Sequence, residues 1–251
     1  MLAAFIQRSS KRMSLVALAV AMAAGATAQA QSSETEIEQV QLGDVWSDMQ
    51  VEITDYAWDA TSTSTAAGNA AAGLVTSGDI TIRTDQTLDG NVTADNQMTG
   101  GSAGLVVATT TAYGNSTTGG TWAGNTYYRA DQVANGDVSA NTVIDLENAG
   151  TVAAATTAMA NVSVPANEYG TGSAFQTQES NGSVSATTDV DMCCDGSSAS
   201  FATTAGGNAV SSTGSTSTNY NGAVQTTAAG ESISASGDVY MGYGHNVLNP
   251  T

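Results

Sequence analysis

The chain has 251 residues and a formal net charge of −18, with five basic residues against 23 acidic ones. A field of that sign repels nucleic acid and anionic lipid, sets nucleic-acid binding aside, and attracts divalent cations or basic partners. One histidine (His245) and no lysine beyond Lys11 leave acid–base and nucleophilic catalysis without their usual groups. The composition therefore argues against an enzyme.

Residues 1–30 read as a signal peptide. Arg8, Lys11 and Arg12 precede an apolar run from Leu15 to Ala24, and Ala28-Gln29-Ala30 is an A-x-A cleavage site. The run is too short for a membrane span, which needs about 20 residues. No later stretch is long and apolar enough to cross a bilayer, so the cleaved chain is expected to be exported without a transmembrane segment. It would keep Arg83 and Arg129 against all 23 acidic residues, a net charge of −21.

Residues 31–60 read as an N-terminal cap containing half a repeat. Gln39-Val40-Gln41-Leu42-Gly43-Asp44-Val45 has the pattern Q-x3-G-x-V, and Trp46 and Trp58 are unusual in an aromatic-poor chain. Terminal units of a stacked repeat need such atypical residues.

Residues 61–251 read as β-solenoid repeats with a C-terminal cap. A segment T-A-x-[G/A]-N ends at Asn69, Asn115, Asn161 and Asn208, and glutamines follow at Gln86, Gln132, Gln178 and Gln225. Both series step by 46, 46 and 47 residues. Ile, Leu, Val and Phe number only 33 in residues 31–251, a composition typical of disordered chains. Stacking resolves the conflict, because ladders of amides and small side chains can fill a narrow interior. The expected fold class is all-β, a parallel β-helix-like solenoid of four repeats of about 46 residues. At ~3.3 Å per strand residue, two coils per repeat fit that length better than one. A four-bladed propeller would leave its inter-blade core underfilled.

The first repeat shows the strand logic. Ile80, Ile82, Thr84 and Gln86 share one face by period-2 alternation, and the parity continues through Leu88, Gly90, Val92 and Ala94. The four glutamines are thus expected to form a structural ladder, as are the four asparagines. The opposite face carries Thr81, Arg83 and Asp85, matched by Tyr127, Arg129 and Asp131, and reads as a solvated face with cross-coil ion pairs. Gly68-Asn69, Gly114-Asn115 and Gly207-Asn208 read as turn formers. The variable segments after them, Gly119–Gly124 and Pro165–Tyr169, read as surface loops. In the fourth repeat Gly230, Ile233 and Ala235 come late, and Tyr240–Asn246 reads as a fifth, terminating element.

Cys193 and Cys194 are adjacent; in an exported chain they pair with each other, bridge two molecules or stay as free thiols. Around them, Asp189, Asp191 and Asp195 have a spacing that could hold Ca2+ weakly, without the position-5 ligand or distal Glu of a calcium loop. No other cofactor is expected, and His245 is too far along the chain to complete a zinc site.

The repeated T-A-x-[G/A]-N and Q-x3-G-x-V-x-A segments, the signal peptide and the late Cys pair resemble the holdfast-anchor protein family of stalked alphaproteobacteria, the D-type anchor (HfaD). The likeness covers most of residues 39–246. It implies a non-enzymatic protein at the cell surface, associated with the outer membrane. Such a protein fastens an adhesive polysaccharide holdfast to the envelope and is exported through a curli-type outer-membrane pore. Its implied partners are other copies, other anchor proteins and the polysaccharide. A secreted curli-like fibre subunit and a carbohydrate-binding β-helix are the rival readings.

Overall fold

In the computed structural model, residues 33–214 and 218–241 are described; residues 1–30, expected as a signal peptide, and residues 242–246 of the expected terminating element, His245 included, lie outside them. Short and long strands alternate. The short ones are β1 (Ser33–Gln41), β3 (Ile80–Leu88), β5 (Thr126–Ala134), β7 (Thr171–Ser180) and β9 (Thr218–Thr227). The long ones are β2 (Val45–Ser77), β4 (Val92–Ala123), β6 (Val138–Tyr169) and β8 (Val184–Val210), with the shorter β10 (Ile233–Met241) following β9. Every pairing is parallel, in two five-stranded sheets of order β1-β3-β5-β7-β9 and β10-β8-β6-β4-β2. This is a parallel β-solenoid. Each short–long pair is one coil, numbered 1 to 5 from β1–β2 to β9–β10.

Asn69 pairs with Asn115 and Asn115 with Asn161, so a 46-residue step advances the chain by one coil and not by two. The expectation of two coils per repeat fails because the long strand doubles back on itself. Met98 and Val106 meet in one core cluster, Asn96 Nδ2 donates to Thr109 O, and Thr84 and Thr117 hydroxyls bond across the interior. The outward leg ends at a distal corner beginning at Gly100. That residue has φ +119, and a Cβ there would meet Ile53 O of the coil below.

The coil is thus flattened into two facing walls, with β3 and the first leg of β4 in one and the returning leg in the other. Three apolar clusters lie along the cross-section. The first holds Ile80, Ile82 and Tyr128; the second holds Leu88, Val92, Ala94 and Ala112; the distal one holds Met98, Ile144, Leu146, Val190 and Phe201. Polar bands separate them. One contains the amides of Asn and Gln, and the other a chain of threonine hydroxyls from Thr110 through Thr142, Thr156 and Thr188 to Thr203, with O···O distances of 2.6–2.8 Å. A narrow interior of this kind needs few large aliphatics, which reconciles the composition with an ordered fold.

Two local expectations are corrected. The Gly-Asn pairs lie within strands, and no non-glycine residue has positive φ among the described residues. Their glycines serve close approach instead: a Cβ on Gly114 would stand 2.5 Å from Ala160 O and 3.0 Å from a Leu88 methyl. The segments expected as surface loops continue β4 and β6, and Thr121 and Asn167 in them are buried. The stacked residues there differ widely, with Leu74, Gly120 and Ala166 in one column and Ser77, Ala123 and Tyr169 in another, yet the strand pairing continues. The late elements of the fourth repeat return to register, with Ile233 opposite Val184 and Ala235 opposite Ala186.

Candidate functional site: amide columns, an aromatic face and open ends

The period-2 alternation of β3, β5 and β7 points Gln86, Gln132 and Gln178 into the interior, where each is at most 1% exposed. Each Nε2 donates to Oε1 of the glutamine one coil earlier, at 2.8 Å: Gln86 to Gln39, Gln132 to Gln86, Gln178 to Gln132 and Gln225 to Gln178. The second N–H crosses to the facing wall, reaching Ser116 O, Val162 O and Ala209 O from Gln86, Gln132 and Gln178. Buried amides are costly unless every donor finds an acceptor, and here stacking supplies one.

The asparagine column runs the other way. Asn69, Asn115 and Asn161 each donate to Oδ1 of the asparagine one coil later, at 2.8 Å. Each also donates to a carbonyl of the next coil: Thr87 O, Val133 O and Glu179 O, with Asn208 reaching Thr226 O. Gln donors therefore face coil 1 and Asn donors face coil 5.

The outer face of the short sheet collects both arginines of the described residues and three exposed rings. Arg83 pairs with Glu34 of coil 1 at 3.0 Å, and Arg129 with Asp131 on its own strand at 2.8 Å. Tyr127, Phe175 and Tyr220 stand more than half exposed. A groove of about 490 Å3 runs between Arg83, Tyr127, Arg129 and Phe175, edged by the hydroxyls of Thr81 and Ser173. The Phe175 ring leans over Gly222 of the last coil, where a Cβ would come within 3.1 Å of it. Such a surface offers ring faces flanked by hydrogen-bonding groups.

Among the described residues, two groups titrate away from their ordinary values. Burial pushes the Tyr128 hydroxyl up to about 12, against its hydrogen bonds with Ser163 and Thr117. Asp95 is raised by partial burial and then by the Asp48 carboxylate, its register neighbour, against a hydrogen bond from Asn141.

Cys193 and Cys194 are joined to each other by a disulfide at the distal corner of coil 4. Leu146 pairs with Met192 and Asn148 with Asp195, so the two cysteines together oppose Glu147, a β-bulge with one extra residue. That insertion accounts for the 47-residue step between Asn161 and Asn208. Asp189 and Asp191 lie on one outward face near this corner; the Asp195 side chain is outside the described residues. Among the described residues no three His, Cys, Asp or Glu side chains are grouped to hold a metal ion.

Fold and surface together define a repeat-built all-β protein, a β-solenoid with long register-locked columns and broad outer faces. Residues 54–249 match the family model described as holdfast attachment protein D, and the chain belongs to that family of holdfast attachment proteins. No curated protein and no solved structure matches it.

Proposed function

We propose that the chain is a non-enzymatic cell-surface anchor that fastens an adhesive polysaccharide to the envelope as an end-to-end assembly of copies. The observation that carries this reading is the state of the stack's two ends. β1 and β2 form one end, β9 and β10 the other, and among the described residues each is the last strand of its sheet. An edge with unpaired N–H and C=O groups templates a further strand. The inward residues Ala223 and Ala235 of coil 5 are exposed, although their counterparts one or two coils earlier are buried.

The polysaccharide would lie along the outer face of the short sheet, where Tyr127, Phe175 and Tyr220 offer ring faces and Thr81, Ser173 and Thr177 offer hydroxyls. Many weak contacts repeated on a rigid surface hold a polymer strongly through multivalency. Export by the signal peptide at residues 1–30, passage through a curli-type outer-membrane pore and contact with other anchor proteins complete the proposal; the sequence pattern and the family support them. On this reading residues 31–60 form the first joining layer of the stack, not a cap that closes it. The test fractionates producing cells. SDS-resistant, high-mass material in the outer-membrane fraction is expected, and a strictly monomeric chain released to the medium would overturn the reading.

A further inference from the structure

Resting on the end-to-end reading, we propose that copies join head to tail, coil 5 of one molecule against coil 1 of the next, in the register that continues the strand columns.

The amide column is directional. In coils 2 to 4 each glutamine Nε2 makes two donations, one to the glutamine below and one across the interior. Gln39 makes only the second kind, to Ala70 O, so coil 1 presents a glutamine N–H outward. At the far end Gln225 donates to Gln178, and among the described residues no coil lies above it to donate to its Oε1. A donor at one end thus matches an acceptor at the other. Head-to-head contact would set Nε2 against Nε2, and tail-to-tail contact would set Oε1 against Oε1.

Charge selects the same orientation. The outward positions of β1 are Glu34, Glu36 and Glu38, while β9 carries no charged residue. Extending the observed columns by one coil places these glutamates over Tyr220, Gly222 and Val224. Two copies of β1 meeting face to face would bring six carboxylates together, an arrangement like-charge repulsion opposes.

Inward positions agree along both sheets. The same extension sets Ile37 over Ala223 and Gln39 over Gln225 in the short sheet. In the long sheet it sets Val45 over Ile233, Val51 over Val239 and Ile53 over Met241. Ile233 is 45% exposed in the single chain, whereas its column neighbour Val184 is 1% exposed. The match spans nine residues in each sheet, the length of β1 and of β10.

Engineered cysteines test the register. Val40 and Thr226 point outward and are exposed, and the extended column sets one over the other, at a neighbouring-strand spacing of about 4.8 Å that a disulfide can span. Assemblies of the full chain carrying both V40C and T226C should oxidise to a covalent ladder extending well beyond the dimer. A mixture of V40C chains with T226C chains should give dimers, and each single variant alone should give none. Covalent dimers from V40C alone would show head-to-head joining and overturn the proposal. High-mass assemblies that cross-link in none of these pairings would overturn the register and leave the end-to-end reading standing. A full chain that stays monomeric would overturn both.

Discussion

Gln176 and Gln178 lie two residues apart on β7, both inward and buried, and fare differently. Gln178 sits in the amide column, with Gln132, Gln225 and Ala209 O as partners. Gln176 stands between Ala130 and Ala223, and neither end of its amide finds a partner. The same contrast separates the amide band from the distal apolar cluster. In the band a polar side chain is stabilising because its neighbours above and below are identical. In the cluster shape and apolar area suffice, and a lone amide would be orphaned. Stacking identity, not burial by itself, decides whether glutamine is tolerated.

Moving an amide across that boundary should have the largest effect. Leu146, stacked between Gly100 and Met192 at the distal corner, has no amide neighbour. Leu146→Gln should cost about 4 kcal/mol, combining lost apolar burial with an unsatisfied amide. A urea midpoint within error of the parent would break the comparison. Gln132→Met keeps the volume but takes the acceptor from Gln178 and a donor from Gln86, and should cost about 3 kcal/mol in the same titration.

Tyr128 gives a pH signature to the interior next to the band. Its folded-state value is raised to about 12 from 10.0, so its stabilising contribution is complete below pH 10 and lost as pH rises through about 12. The loss should approach 2 kcal/mol across that window and be absent in Tyr128→Phe, followed by circular dichroism against pH. Gln176→Met should act in the opposite sense to Gln132→Met, raising stability by about 1 kcal/mol because it removes two unsatisfied groups. A loss there would show that Gln176 has found a partner in solution. The smallest effect belongs to the surface. Asp95→Asn should stabilise the chain by a few tenths of a kcal/mol at neutral pH, because partial burial and then the facing Asp48 carboxylate both disfavour ionised Asp95. That gain should vanish below the ordinary carboxylate value of 3.8, where Asp95 is protonated in both states.

Much of this was legible in the repeat. The parity of Ile80 through Ala94 identified the buried positions of β3 and early β4, and the fixed 46-residue step placed the glutamines above one another. The reversal of the long strand was not legible. Its corner reads Gly100-Gly101 in coil 2, Leu146-Glu147 in coil 3 and Met192-Cys193-Cys194 in coil 4, so no shared motif marks it. The threonine band was hidden for a related reason. In a chain rich in threonine, Thr142 and Thr156 stand out only once the two walls are known to face each other. Gly-Asn misled because its usual turn role and its role in a tight stack use the same two residues.

The distal corner has a consequence for how such a chain changes over time. Coils 1 and 4 each carry a surplus residue there, opposite Gly101 and Glu147, and the columns on either side stay in phase. A single-residue insertion at that bend is absorbed locally, where the same event within β3 or β5 would turn every inward side chain outward. Codon-length drift should therefore collect at the outer bends, and the disulfide of coil 4 sits on one of these expansion joints.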